Sequence, residues 1–243
     1  MKLNSTFAIV AGLAVASQVT AGDITGTVTL NGTPPAEKAI APLKDDVTCG
    51  RFYPEMPMTH FYSVGPNKEL ADVIVMLKGV PAKAADASTA PVILDQKHCL
   101  YSPQILAVQT GQKLLVRNSD AAPVAMHNVH INPTVDANKD ANADKLNAAQ
   151  MAGAPDLTYT FPAAENFEKF QCDVHSWMFA WVTIVDNPYF AITDKDGKFT
   201  IKNVPAGKYT VSALHRKAAP KGVDKDVEVT ADGGKVDFTL EVK

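Results

Sequence analysis

The chain has 243 residues and a formal net charge of −3. That length supports one large domain or two ordinary ones with a real core. Nearly half the residues are apolar, a fifth are charged and no basic stripe appears, so the composition is that of a soluble globular protein with no nucleic-acid partner.

The N-terminus opens with Lys2, an apolar run over 7–16 and the small-residue stretch Val19-Thr20-Ala21. This pattern predicts a secretory signal peptide over 1–21, with a mature chain beginning near Gly22. The apolar run is too short to span a bilayer comfortably. No later segment reaches that length, so the mature chain is expected to lack a transmembrane segment and to be periplasmic or secreted. Export permits disulfides. Three cysteines, Cys49, Cys99 and Cys172, leave one over. If Cys172 holds a metal, Cys49 and Cys99 are free to pair, although sequence alone leaves three pairings open.

Turns rich in Gly, Pro and Asn recur between β-branched runs, the pattern of an all-β chain. Strands are predicted at 24–30, 72–78, 92–94, 105–108, 113–117, 128–131, 157–161, 169–172, 181–185, 190–193, 198–201, 209–214, 227–229 and 236–241. Several alternate with period two, as in Gly26-Thr27-Val28-Thr29-Leu30, which gives sheets one wet face. The segment 136–154 carries little hydrophobic pattern and reads as a long surface loop with a short helix around 143–151. Its Asp136-x-Asn138-x-Asp140 alternation has the look of a calcium loop. Ala141 stands where a Gly is wanted, however, and Asn147 where a bidentate Glu is wanted, so a solvated loop is the expectation. Asp194-Lys195-Asp196-Gly197 reads as a hairpin turn.

The chemistry concentrates in Cys172-Asp173-Val174-His175-Ser176-Trp177-Met178. These seven residues hold a thiolate, an imidazole and a thioether between two strand-like runs. Cys, His and a weak Met form the ligand set of electron-transfer copper, lacking only a second His. Met126-His127-Asn128-Val129-His130-Ile131 supplies two candidates, His127 and His130. Three positions apart on a strand, the two face opposite sides. Cys172 as a disulfide partner and Met178 as core filler are the bland readings. His60, His98 and His215 stand isolated and read as surface or packed residues. Trp177, Phe179 and Trp181 read as core aromatics, with Trp177 also a candidate for an apolar docking patch around His175.

Two family resemblances follow from quoted stretches. Ile192-Thr193-Asp194-Lys195-Asp196-Gly197-Lys198-Phe199 and Asn203-Val204-Pro205-Ala206-Gly207-Lys208-Tyr209 resemble the carboxypeptidase-regulatory-like, or transthyretin-like, β-sandwich. That family's usual opening is matched at the far end of the chain by Gly26-Thr27-Val28-Thr29-Leu30-Asn31-Gly32-Thr33-Pro34. The resemblance implies one sandwich split over 22–90 and 187–243, a spacer or binding module, with a second module inserted at 91–186.

Residues 91–186 resemble the cupredoxin family, in its amicyanin- and plastocyanin-like branch. Three blocks carry this in order: 108–120 with Gly111, Asn118 and Asp120; Met126-His127-Asn128-Val129-His130; and Cys172-x-x-His175-x-x-Met178. The resemblance implies a Greek-key β-sandwich binding one type 1 copper through His127, Cys172 and His175 with Met178 axial, and His175 as the exposed electron port. It implies a redox donor and acceptor as partners, such as an amine dehydrogenase or a cytochrome c. No general base, nucleophile or open metal position appears, so an enzyme is not expected. Asp173 and Val174 replace the family's Ser or Thr and Pro. Asn128 is expected to donate to Asp173, and the Val174 N–H to reach the Cys172 sulfur and raise the potential. The competing functions are a copper carrier, with Met56 and Met58 as its exposed thioethers, and a copper-free cell-surface binding module.

Overall fold

The computed structural model describes residues 20–122, 124 and 126–242. Apart from its last two positions, the signal peptide expected over 1–21 lies outside the described residues. The fold is almost all β, as the sequence predicts. Early strands are β1 (Ala21–Asn31) and β2 (Ile74–Lys78). Next come β3 (Val92–Lys97), β4 (Leu100–Ser102), β5 (Ile105–Gln109), β6 (Leu114–Asn118), β7 (Met126–Ile131), β8 (Asn147–Met151), β9 (Leu157–Tyr159), β10 (Glu165–Gln171) and β11 (Phe179–Val185). The last are β12 (Phe190–Ile192), β13 (Lys198–Pro205), β14 (Gly207–His215), β15 (Ala219–Val229), β16 (Gly234–Lys235) and β17 (Phe238–Glu241).

Four sheets form. The central strands make two, in the orders β5-β11-β10-β7-β8 and β4-β3-β6-β9. One core lies between them, with Leu94, Leu114, Val116 and Tyr159 meeting Val129, Ile131, Phe170, Val182 and Ile184. Strands from both ends of the chain make the other two: β13-β1-β16, with β17 also on β1, and β12-β2-β14-β15. A second core fills this pair, with Ile24, Val28, Leu30, Phe199 and Phe238 meeting Val75, Leu77, Val211 and Val227.

The period-two alternation of β1 buries Ile24, Val28 and Leu30 and leaves Thr25 and Asn31 exposed. Gly26 is required at its place, because a Cβ there would run into the Val236 carbonyl and the Phe199 ring. The two sandwiches meet through Ile74, Ala107 and Leu214. Beside that contact the Arg216 guanidinium lies between two rings, 5.2 Å from the Phe61 centroid and 4.5 Å from that of Trp181.

Two segments depart from the sequence reading. The stretch 136–154 is ordered rather than an open loop: a helix at Asp136–Ala141, a 3-10 turn at Ala143–Lys145, then β8, which pairs with β7 where a helix was expected. No β-branched residue marks β8. Its Gln150 fixes it instead, fully buried, donating to the Val116 and Pro155 carbonyls and accepting from Gln96. The Asx alternation is spent on backbone: Asn138 donates to Ala163 and Asn142 to Thr160.

The second departure is a strap at 40–53, containing the short helix Ala41–Asp45 and a 3-10 turn at Gly50–Phe52. It lies in the range expected for the split sandwich. Yet its Leu43 and Cys49 pack into the core between the central sheets. A disulfide ties Cys49 to Cys99, 50 residues on, and Cys172 is left free and buried. Closing a loop of that length is worth about 4 kcal/mol in the chain-entropy account.

Two acidic side chains, Glu165 and Glu168, are buried on β10. Glu168 accepts the Asn132 N–H at 2.8 Å. Burial pushes its carboxyl up to about 7, and neighbouring Glu165 adds to the rise. The unfolded chain holds a Glu near ~4.3, so between the two values the folded state binds the extra proton. Stability is therefore greatest below that window and falls as pH rises through it, by on the order of 3 kcal/mol. Glu168→Gln keeps an acceptor for Asn132 and should flatten this loss in urea titrations at about pH 5 and about pH 8. Equal pH responses in both proteins would contradict the assignment.

Candidate metal centre

The site begins with the pleat of β7. Successive side chains of a strand point to opposite faces. Val129 and Ile131 face the central core, and His127 shares their face, fully buried. His130 points the other way with Asn128 and reaches Asp173 at 2.9 Å. The pleat therefore places His127 beside Cys172 and His175 and puts His130 against Asp173.

That loop is the connection between β10 and β11, an antiparallel pair with Gln171 opposite Phe179. Its base closes with the Cys172 N–H donating to the Met178 carbonyl at 3.1 Å and the Met178 N–H donating to the His175 carbonyl at 2.8 Å. Asn128 on β7 then pins its first half. The Asn128 carbonyl oxygen Oδ1 accepts from the N–H groups of Asp173 at 2.6 Å and Val174 at 3.4 Å, and its Nδ2 donates to Asp173 Oδ2 at 3.1 Å. The expected tie from Asn128 to Asp173 is present. The Val174 N–H does not go to the sulfur, which is a correction. The bond to Cys172 Sγ comes from the Asn128 backbone N–H, at 3.5 Å.

Three donor groups converge. His127 Nδ1 and His175 Nδ1 lie 3.0 Å apart, and Cys172 Sγ is 3.7 Å from His175 Nδ1. One nitrogen of each imidazole and the sulfur all lie within 4.8 Å of one another. A metal with bonds of ~2.0 Å to nitrogen and ~2.3 Å to sulfur holds its donors roughly 3–4 Å apart. The spacing and the N₂S chemistry fit such an ion. Met178 is fully buried in the same core as Cys172 at the foot of the loop. His175 is partly exposed and packs on Trp177, with ring centroids 5.2 Å apart. Val174 beside it is 55% exposed.

The electrostatics favour a thiolate. Burial pushes the Cys172 thiol up, but the neighbouring His127 and His175 imidazoles and the Asn128 N–H outweigh it and bring it down to about 6. Burial pulls the His127 imidazole down, and its partners Asp120 and Cys172 more than reverse this.

Sequence reading gave Asp120 no role, and it named the Cys49–Cys99 pair and Trp177 without placing the pair against the centre or Trp177 on Cys99. Asp120 is buried and sits 2.8 Å from His127 Nε2; it belonged to a quoted block but carried no role. The disulfide lies against the centre, with the Cys49 and Cys99 sulfurs within 4.8 Å of a ring nitrogen of His175. Trp177 Nε1 donates to the Cys99 carbonyl at 3.0 Å. The odd cysteine count was the signal for the disulfide, and nothing in the sequence tied it to the centre.

Comparisons with known proteins reach parts of the chain. The family described as polysaccharide lyase family 4, domain II, matches residues 171–236. No curated protein matches. Among solved structures, a copper(I) methionine-to-alanine variant of amicyanin is 20% identical, covering 45% of this chain and 97% of its own, at a TM-score of 0.29. A purple cupredoxin from Nitrosopumilus maritimus is 17% identical, covering 38% and 98%, at 0.29. A copper-containing nitrite reductase from Thermus scotoductus SA-01 is 14% identical, covering 46% of this chain but 25% of its own, at 0.32. At these scores the likenesses carry no argument about the site, and its reading rests on the donors themselves.

In the metal-free protein, the thiolate ultraviolet absorbance of Cys172 should titrate with a midpoint of about 6. A midpoint at the ordinary thiol value of ~8.5 would mean that the imidazoles do not stabilise the anion.

Proposed function

We propose that the chain is an exported electron carrier holding one type 1 copper through His127, Cys172 and His175, with Met178 as the axial ligand. The observation that carries the reading is the convergence of two imidazole Nδ1 atoms on a buried, anion-stabilised thiolate. Copper bound there would supply a one-electron couple whose geometry suits both oxidation states. The chain's own residues do the rest. Asn128 holds the loop in one shape, which keeps the donors in place whichever charge they face. Cys172 and Met178 lie in the buried core, which keeps water from them. His175 is partly exposed beside Val174 and Trp177, where a redox donor and acceptor would dock.

The reading includes no catalysis of its own. The periplasmic or secreted location is supported by the disulfide. In this reading the sheets built from both chain ends form a spacer or binding module carrying the copper module at 91–186. Copper carriage without electron transfer has one observation in its favour, the exposed thioethers of Met56 and Met58.

The test is visible absorption and EPR of residues 22–243 titrated with Cu(II). One equivalent should give an intense thiolate-to-copper band, absent in Cys172→Ser and His127→Ala and retained in His130→Ala. Colourless binding, or a band that survives Cys172→Ser, would overturn the electron-carrier reading. Colourless Cu(I) binding abolished by Met56→Leu with Met58→Leu would favour the carrier instead.

A further inference from the structure

We propose that Asp120 is the positioning residue of this centre, fixing the His127 ring with Nδ1 toward the cluster, and that the disulfide-bearing β3–β4 turn fixes Asp120. The proposal rests on the metal-centre reading above and adds to it what aims the buried histidine.

The His127–Asp120 pair is among the most buried polar contacts of the fold, with side chains 0% and 1% exposed. A neutral imidazole carries one N–H and one lone pair. With a carboxylate oxygen 2.8 Å from Nε2, the proton belongs on Nε2 and the lone pair on Nδ1, which faces His175 and Cys172. A carboxylate behind an imidazole also makes its free nitrogen a stronger donor. Water cannot take over this role, because neither group is open to solvent.

Asp120 is itself held from three directions. His98 N–H donates to Oδ1, Cys99 N–H donates to Oδ2 at 2.9 Å, and the Asp120 N–H donates to Asn118 Oδ1 at 3.1 Å. The first two bonds explain an oddity of the backbone. β3 and β4 are joined by the two-residue turn His98-Cys99, with Lys97 opposite Leu100. Both turn residues lie in the left-handed region, at φ of 54° and 57°. Turns of this kind normally use Asn-Gly or Asp-Gly, because side chains are strained there. Neither residue here is of that type. Strain of this sort persists where the surroundings over-determine it. In this turn it swings two successive N–H groups onto one carboxylate, and Cys99 is further fixed by its disulfide to Cys49.

The same Cys99 serves the second imidazole. Its carbonyl accepts from Trp177 Nε1 at 3.0 Å, and the Trp177 ring packs on His175. One short turn thus supports both histidines, His127 through Asp120 and His175 through Trp177.

The experiment uses Asp120→Asn, which keeps the shape and one acceptor oxygen but removes the charge. The first readout is the ¹⁵N NMR tautomer of His127 in the metal-free protein, at a pH where the ring is neutral. Wild type should show the Nε2–H tautomer, and the variant a mixture or the Nδ1–H form. The second readout is the ratio of Cu(II) to Cu(I) affinity, which should fall about 10-fold or more in the variant, with overall affinity down 10- to 100-fold. A wild-type ring protonated at Nδ1 would overturn the proposal. So would a variant with unchanged tautomer and unchanged affinity ratio. If Asp120→Asn fails to fold, the wild-type tautomer still decides. A wild-type protein that takes no copper would end the electron-carrier reading while leaving the tautomer result standing on its own.

Discussion

The centre depends on one side chain that binds no metal. The Asn128 amide and backbone N–H bond to the loop and the sulfur, and its Nδ2 also donates to Asn147 on β8 at 2.7 Å. A seven-residue loop between two strands has many conformations, and ordering it costs about 1–2 kcal/mol per residue. The bonds from Asn128 pick one of them. They also set the distance between β7, which carries His127, and the loop, which carries Cys172 and His175. Asp173 then collects His130, Asn147 and Gln171 around the outside of the same joint. The histidine that does not enter the centre thus braces it from outside.

The frame around this joint is divided between two cores that touch at a narrow seam. Ile74, Ala107 and Leu214 close the seam, and Arg216 adds a cation held between rings contributed by Phe61 and Trp181. A guanidinium stacked this way keeps its flat faces against apolar carbon while its edges stay wet, which is cheaper than burying the charge.

Much of this was legible in the sequence because it is local. The spacing Cys172-x-x-His175-x-x-Met178 puts donors in one loop whatever the rest of the chain does, and the period of a strand separates His127 from His130. The all-β class followed from turn residues and alternation. What stayed hidden is non-local or breaks a local rule. β8 carries alanines and amides and is a strand because Gln150 finds buried partners far away in sequence. The strap at 40–53 has a weak pattern of its own and takes its place from a covalent bond to Cys99. The turn at His98-Cys99 defies turn chemistry, since its compensation comes from Asp120, more than twenty positions downstream.

The register of β1 has a consequence for how the chain assembles. Its strand neighbours among the described residues are β13, β16 and β17, between Lys198 and Glu241, and its earlier backbone contact is a single bridge from Thr29 to Glu69 with bonds to Lys68 and Leu70. During synthesis β1 emerges first and has only the short stretch at 68–70 to bond until nearly the whole chain has followed. The strands from β3 to β11 find theirs within their own span, so the loop at 172–178 can close while both flanking ends are still unpaired. Contacts of such unequal sequence separation form at unequal rates. The sheet holding the chain's two ends is then the last to knit, and a nascent chain held near its end would display an assembled centre beside an open edge.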